Sequence, residues 1–256
     1  MDPVNENEDE ERFAGSLRDA IARRAAFARE QHPQGVRKPP LELMLAELRS
    51  LYRGGHRSQA VRSAVSPMPV MLLPGFGAHP RRMKPMADAL SAAGHHVHQW
   101  GLGFNFGPNQ DNFAYLMRRV AIIARESWHP VALVGWSLGG LFAREIARRE
   151  PHLVAKVITM GTPFSGDPRA NNAWKAYQVV TGHSVDRPPI DCDFSEKPAV
   201  PTVALWSPRD GIIHPRAAAG WPHERDRAVA IRCSHLDFSS SPKVVAEVLR
   251  QLDVRE

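Results

Sequence analysis

Ser137 stands between Gly135 and Gly139, after the apolar run Val131 to Val134 and before the helix formers Leu138 to Arg149. A serine on such a strand-to-helix turn projects its hydroxyl outward, and glycines two places to either side let the strand and helix approach closely. The start of the helix also leaves backbone N–H groups free to face developing negative charge, which makes the N–H of Leu138 a candidate oxyanion donor. An ordinary turn would use the same glycines. The assignment therefore depends on finding the partners a nucleophilic serine needs.

A serine hydroxyl is a poor nucleophile at neutral pH and requires a base, which in turn requires an acid to orient it. Two later loops supply them in the order serine, acid, histidine: Trp206 to Pro215 carries Asp210, and Cys233 to Phe238 carries His235. Asp191, Asp193 and Asp226 are rival acids, and His214 and His223 are rival bases. Only Asp210 directly follows a strong apolar strand, and His235 lies between the last strand and the terminal helix. In this arrangement Asp210 holds the imidazole tautomer, while His235 takes the serine proton and returns it to the leaving alcohol. The second oxyanion donor is expected at the N–H of Phe76, in the glycine-flanked turn after the first strand. Trp136, Phe104 and Trp100 on the rim loops are expected to bind substrate in an apolar pocket. His95, His96 and His98 lack an acidic or cysteine partner at a recognised metal spacing, so neither metal nor cofactor is expected.

The elements that must position these residues follow from the hydrophobic pattern. Strands are expected at Pro69 to Leu73, His96 to Trp100, Val131 to Val134, Val154 to Met160, Thr202 to Trp206 and Ala228 to Arg232. Helices are expected at Arg81 to Ala93, Asn112 to Ser127, Leu138 to Arg149, Asn172 to Thr181 and Pro242 to Leu252. This alternation predicts an α/β fold with a mostly parallel sheet of about six strands and helices on both faces. If the second and third strands flank the first, the chain reverses there, and the serine and Phe76 loops meet at the switch point.

Two helices precede that unit. Glu6 to Glu30 places Phe13, Leu17, Ala20 and Ile21 on one face, and Leu41 to Tyr52 carries a stronger apolar stripe of Leu41, Met44, Leu45, Leu48, Leu51 and Tyr52. The second is expected to dock on the core or a sheet edge; a lipid-surface or partner helix, or an active-site cover, is the alternative. The division is then residues 1–66 as an N-terminal helical extension and 67–256 as the main domain, with a small cap-like insertion near 164–201.

The 33 basic residues are scattered among 27 acidic ones, giving a net charge of +6 without a cationic block, which argues against nucleic acid as a partner. The opening Met1 to Glu11 has neither the basic start nor the apolar core of a secretory signal, and no apolar run reaches the roughly 18 residues of a membrane span. A cytoplasmic protein is expected, with Cys192 and Cys233 as free thiols and a bridge between them as the alternative.

The residues from Pro69 to Leu252 resemble the α/β-hydrolase superfamily, in particular its compact bacterial lipase-like and esterase-like serine hydrolases. The resemblance is carried by Pro74-Gly75-Phe76-Gly77, Gly135-Trp136-Ser137-Leu138-Gly139-Gly140, Gly161-Thr162-Pro163, Ser207 to Gly211, and Ser234-His235. It implies a Ser137, Asp210 and His235 triad, Phe76 and Leu138 as oxyanion donors, and cleavage of a small acyl ester. A non-catalytic relative binding an acyl ligand or a protein partner, or an acyltransferase or thioesterase using the same three residues, is the alternative.

Overall fold

A computed structural model describes residues 6–50 and 61–254, with side chains over 16–47 and 61–254. Six parallel strands form one sheet in the order β2-β1-β3-β4-β5-β6. They are β1 (Pro69–Leu73), β2 (His96–Gln99), β3 (Val131–Trp136), β4 (Val154–Met160), β5 (Thr202–Trp206) and β6 (Arg227–Ala230). Strands β1 and β3 are buried along their whole length, as expected of central parallel strands covered on both faces.

Alternate residues of these strands feed two cores. Val70, Leu72, Val134 and Ile158 pack with Met86 and Leu90 of α3 (Lys84–Ala92) and Val244 and Val248 of α8 (Pro242–Asp253). Met71, Leu73, Leu133 and Val157 face the other way, onto Leu116 and Val120 of α4 (Gln110–Ser127) and Ile146 of α5 (Leu138–Arg149). Because β1 lies between β2 and β3, the connections leave in opposite directions and open a crevice at the carboxyl ends of β1 and β3.

Local chemistry moves several boundaries. Helix α4 starts before Asn112 because Asn109 and Asn112 form a reciprocal capping box, with the Asn112 amide donating to Asn109 Oδ1 at 2.7 Å. Strand β6 ends at Ala230, yet the Ile231 amide still donates to Trp206 O at 2.8 Å. The short α7 (Pro215–Ala219) was hidden in the stretch after His214, whose Nδ1 accepts from the Arg216 amide as an N-cap. Within 164–201, α6 (Trp174–Thr181) begins two residues later than Asn172, whose side chain is engaged elsewhere.

Helix α1 (Glu6–Arg29) packs on α6, but Leu17 and Ile21 are exposed and Ala20 and Phe27 are half-buried. Helix α2 (Leu41–Ser50) likewise exposes Leu41 and Leu45. The face turned inward is rotated from the predicted one: it bears half-buried Leu43, half-buried Met44 of the stripe, and buried Glu47. Leu41 and Leu45 of the predicted stripe thus do not dock, while Met44 does in part, and Glu47 meets backbone N–H groups that a carboxylate satisfies and a leucine does not. Leu51, Tyr52 and the side chains of Phe13 and Leu48 lie outside the described residues. Cys192 and Cys233 are both free thiols. Among the described residues, no helix is long and apolar enough to cross a membrane.

Candidate active site

Ser137 follows β3 and precedes α5, at φ 53° and ψ −121°. Among the described residues only Trp128 is also a non-glycine with positive φ. The neighbouring glycines explain how such a turn fits. A Cβ on Gly135 would meet the Gly139 and Gly140 backbone, and one on Gly139 would meet the carbonyls of Leu73 and Pro74. The serine is therefore held on a strained backbone by a strand and helix packed at glycine distance.

Asp210 and His235 meet although 25 positions separate them, with His235 Nδ1 2.8 Å from Asp210 Oδ2. Asp210 Oδ1 accepts the amides of Ile212 at 2.8 Å and Ile213 at 2.7 Å. A carboxylate accepting at both oxygens leaves Nδ1 as the donor and directs Nε2 away from the acid. Both side chains are buried. Burial disfavours the charged imidazole, but the Asp210 charge and hydrogen bond, aided by Glu47, outweigh it and raise the His235 pKa above 6.5.

The imidazole stands beside the serine turn. The Trp136 indole Nε1 donates to the His235 carbonyl at 3.1 Å, and the two rings lie 5.8 Å apart. Among the described residues the Ser137 hydroxyl has no hydrogen-bond partner, His235 included. A serine–histidine contact of this kind commonly tightens only in the complex with substrate. Three of the rival groups are engaged elsewhere: Asp226 accepts from Thr202, Asp193 from Ser195, and His214 caps α7.

The turn after β1 lies against the serine, since a Cβ on Gly75 would stand 3.2 Å from Ser137 Cβ. Neither the Phe76 nor the Leu138 amide has an acceptor among the described residues. Asn105, which the sequence reading missed, holds this turn. Its Nδ2 donates to Pro74 O at 2.7 Å, its Oδ1 accepts from the Gly107 amide at 3.1 Å, and its carbonyl accepts from the Gly77 amide at 2.7 Å. A buried asparagine in a glycine-rich loop between exposed Phe104 and Phe106 was the available signal.

An apolar cavity of about 110 Å³ adjoins Ser137, lined by Phe76, Leu138, Leu141, Trp174, Tyr177 and Phe194 among others. That is several times the roughly 10–15 Å³ a single water requires. Burial raises the Tyr177 phenol to about 12, so it lines the wall as a neutral group. The expected substrate residues Trp136, Trp100 and Phe104 do not line this cavity. Trp136 and Trp100 are buried in the two cores, Trp100 edge-on to Phe142, because large apolar rings gain more from core packing than from a rim. Phe104 instead stacks on Phe106 in an exposed loop.

Buried Arg144 of α5 ties the segment over the cavity in place. It donates to the carbonyls of Phe194 at 2.8 Å, Glu196 at 3.0 Å and Glu224 at 3.0 Å, with its guanidinium over the Phe164 ring. Desolvation lowers its pKa to about 10, which leaves it charged at neutral pH.

Residues 68–180, which include the β1 turn and the serine turn, match the family profile of the α/β-hydrolase fold. The matched segment, less than half of the chain, is similar to that family, and the six-stranded parallel sheet is consistent with its fold. Over 71 residues this chain is 44% identical to a pimeloyl-(acyl-carrier protein) methyl ester esterase of Aromatoleum aromaticum, covering 25% of this chain and 26% of that protein. The match thus spans about a quarter of that relative's length. Among solved structures, a soluble variant of monoglyceride lipase from Saccharomyces cerevisiae superimposes with a TM-score of 0.54 at 14% identity, over 78% of this chain and 87% of that one. The type II thioesterase BorB from the borrelidin biosynthetic cluster gives 0.50 at 18% identity, over 77% and 98%. At these identities the two likenesses bear on the α/β-hydrolase fold alone.

Proposed function

We propose that the protein is a serine hydrolase of carboxylic esters, acting through an acyl-enzyme on Ser137. The observation that carries this reading is the Ser137 backbone at φ 53° and ψ −121°. Such a conformation costs on the order of 1–3 kcal/mol in a non-glycine residue and has an evident use only if the hydroxyl must project from the turn. The acid–histidine pair behind it supplies the activation a serine lacks.

The steps follow from the groups present. As Ser137 Oγ attacks the acyl carbon, His235 Nε2 takes its proton, while Asp210 keeps Nδ1 protonated and stabilises the imidazolium. The carbonyl oxygen becomes an oxyanion that accepts from the amides of Phe76 and Leu138. His235 then gives its proton to the departing alkoxide, leaving alcohol and the serine ester. Water, deprotonated by the same imidazole, attacks that ester, and the acid leaves as Ser137 regains its proton. The acyl chain occupies the cavity, with residues 164–201 as a small cap. The 44% identity to part of an esterase supports this reaction class.

The test is intact-protein mass spectrometry during turnover of p-nitrophenyl esters. The reading expects a transient mass increase equal to the acyl group, absent in Ser137→Ala. Turnover without a serine adduct, undiminished in Ser137→Ala, contradicts it.

A further inference from the structure

The most unusual buried side chain outside the acid–histidine pair belongs to the N-terminal extension. Glu47 of α2 is 2% exposed, yet its carboxylate reaches backbone on both loops of that pair. Oε1 accepts the Gly211 amide at 3.0 Å and the His235 amide at 2.6 Å, and Oε2 accepts the Leu236 amide at 3.1 Å. One carboxylate thus joins the residue after the acid to the histidine itself. The fit around it is close. A Cβ on Gly211 would run into the Leu43 backbone, so the glycine admits α2 to this position. Asn172 closes the other side, its Nδ2 donating to Pro39 O at 3.1 Å and Gly211 O at 2.8 Å.

We propose that Glu47 is a positioning residue of the hydrolase site, and that α2 couples the Asp210 loop to the His235 turn. This rests on the ester-hydrolase reading above. A charged acceptor binds backbone N–H groups about twice as strongly as a neutral one, and in a buried site each bond also limits the play of the loop. Small displacements of a general base are costly, since a misplacement of about 1 Å lowers rate by up to roughly 100-fold.

Glu47 also acts through its charge. The charged groups acting on the imidazole are Asp210 from the loop after β5 and Glu47 from α2, both raising its proton affinity against the effect of burial. Asp237, on the histidine's own turn, accepts the Ser234 amide through Oδ2 at 3.2 Å. The Cys233 thiol is pushed up by burial, further raised by Asp210 and Asp237, and stays neutral. Removing the Glu47 charge therefore favours neutral His235 at lower pH.

The deciding experiment compares the full-length protein with Glu47→Gln by kcat/KM against pH and by hydrogen exchange. The amide oxygen still accepts, but the nitrogen meets an N–H donor and the charge is gone. The expected result is a fall of about tenfold in kcat at the optimum with KM little changed. The acid limb moves to lower pH, and exchange rises at 210–213 and 235–239. Active wild type with a folded Glu47→Gln that keeps both rate and acid limb overturns the proposal. Should Glu47→Gln melt below the assay temperature, Glu47→Asp is read instead. It keeps the charge and shortens the reach, so kcat falls with the limb unmoved, and an unchanged kcat overturns the proposal. Wild type without turnover sinks the ester-hydrolase reading, and coupling is then judged by exchange alone, where no change at the two loops overturns it.

Discussion

The indole N–H of Trp136 donates to the carbonyl of His235 at 3.1 Å, so the residue before the candidate nucleophile holds the residue carrying the candidate base. Substituting Trp136 by Phe keeps an aromatic ring in the core and removes that donor. With His235 less well held, kcat is expected to fall about tenfold while KM stays within about twofold. If Trp136 bound substrate directly, KM would rise instead.

The strain at Ser137 predicts a trade between activity and stability. Glycine adopts positive φ without steric penalty, so Ser137→Gly is expected to be inactive yet more stable than wild type by about 1 kcal/mol in urea unfolding. A less stable Ser137→Gly would mean that the turn is relaxed and the hydroxyl is held for packing.

The pH dependence has a definite sign. The His235 pKa is raised above 6.5, so its pairing with Asp210 contributes stability in full below pH 6.5 and loses it as pH climbs through the folded value. Activity runs the opposite way, because a general base must be neutral to accept a proton. The acid limb of kcat/KM is therefore expected above pH 6.5 in wild type, and a limb well below that value would contradict the assigned environment of His235.

Trp174 forms part of the acyl cavity wall and is 4% exposed. Trp174→Ala should lengthen the cavity and favour longer acyl chains, raising the octanoate to acetate ratio of kcat/KM for p-nitrophenyl esters about tenfold. An unchanged ratio would place the acyl chain elsewhere.

Much of this was legible in the sequence because its physical causes are local. Buried parallel strands need unbroken apolar runs, and Val131 to Val134 and Thr202 to Trp206 supply them. Loops at strand ends converge on one rim, so Asp210 and His235 could be paired from their places after strands. Side-chain direction was not legible. Trp100 and Trp136 were expected at the rim because aromatic residues suit a pocket, but both rings pack into the cores. The inward face of α2 was legible only in part, at Met44, for a related reason. Apolar spacing indicates where a helix meets hydrocarbon, whereas this helix meets backbone N–H groups. The clue was Glu47 itself, an acid three positions from Met44 and four from Leu43. Asn105 escaped notice because two of its main-chain partners, Pro74 and Gly77, are distant in sequence.

Labelling by a fluorophosphonate followed by peptide mapping tests the central claim most directly, because the reagent reacts with a serine only where a base activates it and donors receive the phosphoryl oxygen. The account predicts one adduct per chain, on the peptide containing Ser137, lost in Ser137→Ala and strongly slowed in His235→Ala. Labelling that persists in Ser137→Ala, or a folded wild type that takes up no probe, would contradict it.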